Sequence, residues 1–102
     1  MDHLSKLNME YGISTITLFE LHCVKLKPKE ELMIEKIPKL PFDEASAKLA
    51  GSIYRDLKRM GRTPSAKDLL IAASTIAHDK LLVTLDADFE VFRRYGLKAE
   101  FI

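Results

Sequence analysis

The sequence contains one cysteine, Cys23, so no disulfide can close within the chain, and a reducing compartment is the expected setting. No apolar run approaches the ~20 residues that a membrane-spanning helix requires. Met1-Asp2-His3-Leu4-Ser5-Lys6 has no signal-peptide pattern, so the expected location is the cytoplasm, with no membrane partner. An excess of either charge is also missing. Sixteen basic residues face fifteen acidic ones, a net charge of +1, and no whole-molecule field draws in a polyanion. Any nucleic-acid contact must therefore come from a local patch. There is no internal repeat and no low-complexity tract. What is present, 102 residues with 47% apolar and 30% charged side chains, suits a single domain over residues 1–102 with one modest core.

Leu4, Leu7 and Tyr11 fall at helical spacing, and Gly12 is placed to end that helix. Ile13-Ser14-Thr15-Ile16 is β-branched and short, which predicts a buried strand. From Thr17 the pattern is helical. Phe19, Cys23 and Leu26 share one face, which puts Cys23 in the core, and Pro28 interrupts the run. Residues 29–36 predict a further turn or two of helix. Residues 37–42 carry two prolines and predict a short edge strand or an extended connector. Asp43 caps the clearest helix, whose apolar stripe is Ala45, Leu49, Ile53, Leu57 and Met60, with Gly61 as the stop. Ser65 caps the next helix, apolar nearly all round and so expected to be central. Leu81 to Leu85 reads as an inner parallel strand. A short helix from Asp88 to Tyr95, with Phe89 and Phe92 in the core, ends at Gly96, and a last strand runs from Leu97 to Ile102. This alternation predicts an α/β fold with a parallel sheet.

Three acidic residues fall where such a fold places its chemistry, beyond the carboxyl ends of strands. Glu20 follows the first strand, Asp68 lies in the first turn of the central helix, and Asp86 follows Leu85 directly. Carboxylates gathered there repel one another unless a cation neutralises them, and hard oxygen ligands suit Mg²⁺ or Mn²⁺. Each residue also has an ordinary alternative. Glu20 could face solvent, Asp68 could favour the helix dipole, and Asp86 and Asp88 could be loop and capping residues. His22 points to a different helix face from Glu20, while His3 and His78 have no partner at ligand spacing. Arg55, Lys58, Arg59, Arg62 and Lys67 form the densest basic stretch, either a solvated helix face or a phosphate contact.

Three segments resemble those of the PIN domain family of VapC-type toxin ribonucleases. They are Ser14-Thr15-Ile16-Thr17-Leu18-Phe19-Glu20-Leu21, the stretch from Gly61 to Ala73 around Asp68, and Leu82-Val83-Thr84-Leu85-Asp86-Ala87-Asp88-Phe89. They occur in the family's order and span nearly the whole chain. The resemblance implies a three-layer α/β/α fold with a short parallel sheet. It implies a metal-dependent endoribonuclease, with Glu20, Asp68 and Asp86 holding one or two Mg²⁺ or Mn²⁺ ions. Asp88 is the alternate for Asp86, and Thr15 and Thr84 support the cluster by hydrogen bonds. Arg59, Arg62 and Lys67 become candidates for RNA contact. A small antitoxin whose tail covers the acidic cleft and a homodimer are the implied partners, within a toxin–antitoxin pair.

The family's opening strand, with the first aspartate of its acidic set, has no counterpart before Ile13, and Asp2 is no convincing substitute. An upstream start, a cut chain or a shortened relative would each account for this. The expectations that follow are a sheet with two exposed edges, an oligomer through the N-terminal half, and weak RNA hydrolysis supported better by Mn²⁺ than by Mg²⁺. A catalytically inactive PIN-like module that dimerises or binds an antitoxin is the second reading, and a purely structural α/β unit the third.

Overall fold

A computed structural model describes residues 10–102, and the expected helix over Leu4 and Leu7 lies outside that range. Ser14 explains the first departure from the sequence pattern. Its hydroxyl accepts a hydrogen bond from the Ile16 backbone N–H at 3.0 Å, so the chain turns helical two residues earlier than periodicity suggests. Strand β1 is only Ile13–Ser14, and helix α1 runs Thr15–His22. Pro28 opens helix α2 (Pro28–Glu35) rather than merely interrupting its predecessor, because the first helical position needs no N–H. Strand β2 is Lys39–Leu40, parallel to β1.

Asp43 caps α3 (Glu44–Arg59) by accepting from the Ser46 N–H at 3.0 Å. The buried stripe of α3 is Ser46, Ala50, Ile53 and Leu57, rotated from the expected one at both ends; Ala45 and Met60 are exposed. Ser46 is tolerated inside because its hydroxyl bonds to Asp43 at 2.8 Å and to the Pro41 carbonyl at 3.4 Å. Gly61 follows with φ of +74°, a left-handed turn that a side chain would strain. Helix α4 (Ala66–Ala77) is central as expected, with seven buried residues from Asp68 to Thr75. Its polar members are satisfied along the helix, Ser74 donating to Leu70 and Thr75 to Ile71.

Strand β3 (Leu81–Thr84) stops one residue short of the predicted end, and Leu85 is exposed. A 3₁₀ helix, Ala87–Tyr95, leads to Gly96 at φ +100° and to strand β4 (Lys98–Phe101), parallel to β3. Phe89 and Phe92 enter the core as predicted, with ring centroids 6.1 Å apart. That core joins α3, α4, the 3₁₀ helix and β4 through Ile53, Leu57, Ala72, Phe92 and Ala99. Cys23 is the opposite case. It was expected inside but is exposed, because α1 contributes no buried residue and has ended at His22.

The result is a mixed α/β fold with short parallel strands, which among the described residues are arranged as two pairs. Among the described residues a single bridge, Tyr11 to Leu81, joins them, with the Leu81 N–H donating to the Glu10 carbonyl at 3.0 Å. Tyr11 is therefore extended rather than helical. Gly12 serves close approach instead of ending a helix: a Cβ there would lie 2.9 Å from the Pro38 carbonyl. Among the described residues, β3 therefore pairs along its length with β4 and meets the other pair at Leu81, and the two pairs open away from that bridge.

Candidate metal centre

The opening between the strand pairs is a cavity of about 430 Å³. Its lining includes Gly12, Ile13 and Ser14 from one side and Leu82, Val83 and Thr84 from the other, with Glu20, Lys67, Asp68 and Asp86 among the polar groups. Asp68 reaches it from the first turn of α4, where Ser65 caps the helix with an oxygen 3.5 Å from the Asp68 N–H. Thr84 ends β3 and accepts from the Asp86 N–H at 3.0 Å. Asp86 in turn caps the 3₁₀ helix, accepting from the Asp88 N–H at 2.8 Å. These two local bonds turn the chain so that both aspartates face Asp68.

Carboxylate oxygens of Asp68, Asp86 and Asp88 lie within 4.8 Å of one another. Asp68 is 8% exposed, and burial raises its pKa above the ordinary value; Lys67 opposes that rise, while Asp86, Asp88 and Glu20 add to it. A divalent cation relieves both the burial and the repulsion, so the donor set fits a hard cation with oxygen ligands.

The structure thus brings Asp68, Asp86 and Asp88 together, with Thr84 in support and Asp88 beside Asp86 rather than in place of it. Glu20 lines the same cavity but lies outside the compact group, its Oε2 held 3.3 Å from the Lys67 ammonium. Thr15 is placed elsewhere. Its hydroxyl accepts from the Phe42 N–H at 3.3 Å, because as first residue of α1 it faces the segment after β2. Arg59 pairs with Asp56 at 2.9 Å and lines neither this cavity nor its neighbour. Arg62 does line the neighbour, a cavity of about 360 Å³ bounded also by Leu57, Thr63, Pro64, Asp88 and Val91. Thr17 and Ser14 also line the acidic cavity, and the sequence pattern does not single them out. Thr17 lies three residues before Glu20, which puts it on the same face of α1, and that spacing was the available signal.

This fold and acidic centre define a class, and comparison with known proteins agrees. Residues 3–95 match the PIN domain family, and the chain belongs to it. It is 54% identical over 61 residues to ribonuclease VapC3 of Methanocaldococcus jannaschii, a match covering 60% of this chain and 65% of that protein. To a VapC ribonuclease of Pyrococcus furiosus it is 32% identical over 99 residues, 92% of this chain and 66% of the relative. The chain thus spans about two thirds of the length of these curated relatives. Among solved structures, VapBC2 from Rickettsia felis bound to a promoter DNA fragment superimposes with a TM-score of 0.74 at 27% identity, covering 99% of this chain and 80% of that one.

Proposed function

We propose that this protein is a metal-dependent endoribonuclease of the VapC toxin type. The observation that carries the reading is the convergence of Asp68, Asp86 and Asp88 within 4.8 Å at the ends of β3 and α4. Those three residues would hold Mg²⁺ or Mn²⁺, with Glu20 at the cavity wall as the further ligand. When bound, such an ion supplies an activated water and neutralises charge on a phosphodiester. The side chains around it orient the substrate. Arg62, with no ion-pair partner among the described residues, lines the adjoining cavity together with Asp88, and Lys67 lines the acidic cavity itself, so each would be a contact for a substrate phosphate. Pro64 and Val91 give the Arg62 cavity an apolar wall against which a base can rest. RNA is accordingly the substrate, and a small antitoxin the partner that blocks the cleft, as the VapBC pairing of the structural relative supports.

A homodimer fits one further observation. Phe19, Val24, Leu32 and Met33 are each 60% or more exposed on or beside α1 and α2. That apolar surface also favours the second reading, an inactive module retained for association.

Cleavage of a fluorogenic RNA with Mg²⁺ or Mn²⁺ separates the two. The expected result is metal-dependent cleavage, stronger with Mn²⁺, that falls by roughly 10–100-fold or more in Asp86→Asn. Metal-independent cleavage, or equal rates in the variant, would exclude the nuclease reading, and retained self-association without cleavage would leave the module.

A further inference from the structure

Among the described residues, Lys67 is the one basic side chain lining the cavity that holds the acidic centre. It immediately precedes Asp68, yet the carboxylate it pairs with is Glu20, on a different helix, at 3.3 Å. Glu20 is also the one member of the predicted acidic set outside the compact group. These two facts have one explanation. An ammonium beside a carboxylate neutralises part of its charge and occupies an oxygen that a metal ion would otherwise use. The pair is also exchangeable. Its side chains are 52% and 40% exposed, and ion pairs that wet contribute little to stability. Lysine carries its charge on a flexible four-carbon stem, so the ammonium can leave without moving α4. Asp68 and Asp86 also attract it, so its field reaches two of the three aspartates as well as Glu20.

We propose that Lys67 is a built-in counter-ion that holds Glu20 apart from the three aspartates, so that Glu20 becomes a metal ligand only when Lys67 releases it. Lys67 is then free for a phosphate oxygen of the substrate. It is a positioning residue acting through Glu20, and the inference rests on the metal site proposed above.

The test is calorimetric titration of Mn²⁺, without RNA, into the wild type, Lys67→Met, Glu20→Gln, the double variant and Asp86→Asn. Lys67→Met is expected to tighten Mn²⁺ binding by roughly five-fold, the scale of one nearby charge in a wet site. Glu20→Gln is expected to weaken binding several-fold more in the Lys67→Met background than in the wild type, because only there does Glu20 ligate. Unchanged or weaker binding in Lys67→Met would overturn the proposal. Equal costs of Glu20→Gln in both backgrounds would overturn it too, leaving Lys67 as a distant charge only. Absence of Asp86-dependent Mn²⁺ binding in the wild type would overturn the metal site itself and this inference with it.

Discussion

The two strand pairs differ in what holds them. Around β3 and β4, helices α3 and α4 and the 3₁₀ helix enclose Leu57, Ala72, Ala73 and Phe92, each 1% exposed or less. Around β1 and β2, helices α1 and α2 contribute no buried residue, and Leu40 is the buried apolar side chain of that side. The acidic centre straddles this divide. Its three converging aspartates come from the densely packed part, while Glu20 stands on the thinly packed one and is held by an ion pair. Preorganisation therefore belongs to the aspartates, and adjustability to Glu20.

The largest effect should come from the packed side. Phe92→Ala removes a side chain that is 1% exposed, and its expected cost is about 3–5 kcal/mol, read by urea unfolding. Phe19→Ser, on the other side, should cost no more than about 0.5 kcal/mol, because that ring is already 68% exposed. Similar costs at the two positions would abolish the contrast.

A smaller effect concerns Asp68. Burial raises its pKa in the folded state, so the folded protein holds that proton more tightly than the unfolded chain does. Its contribution to stability is therefore greatest below the ordinary carboxylate range, declines as pH rises through the ordinary value towards the raised one, and stays lost at neutral pH. Asp68→Asn should stabilise the metal-free protein at pH 7 by about 0.5–2 kcal/mol, the usual size of such a relief, and flatten the acid side of the pH profile. Thermal unfolding between pH 4 and 7 checks this. A variant less stable than the wild type at pH 7 would mean that the Asp68 carboxylate is already compensated.

The smallest effect on stability carries the sharpest consequence for assembly. Leu32→Ser combined with Phe19→Ser should leave Tm nearly unchanged and shift sedimentation towards the monomer. Unaltered sedimentation would place the dimer contact elsewhere.

Much of this was legible from short-range chemistry. Ser65 and Asp43 announce their helices because a capping oxygen acts within three residues, and Gly61 and Gly96 announce their turns because only they adopt positive φ without strain. The order of the acidic motifs already pointed to the PIN family. The sequence was misleading where a neighbour distant in the chain decides the outcome. Cys23 lies on an apolar stripe, yet α1 buries none of its residues and ends just before it, so the side chain stays outside. Thr15 sits in a family-like motif, yet Phe42 takes its hydroxyl.

By itself the sequence determined the elements, their caps and the residue types able to bind a hard cation, since those follow from interactions spanning a few residues. Only the tertiary structure decided that Asp86 and Asp88 both meet Asp68, that the described strands form two pairs, and that Lys67 holds Glu20. Electrostatic pairing depends on distance in space, and residues 47 positions apart in sequence, as Lys67 and Glu20 are, acquire a distance only when α1 and α4 are set side by side.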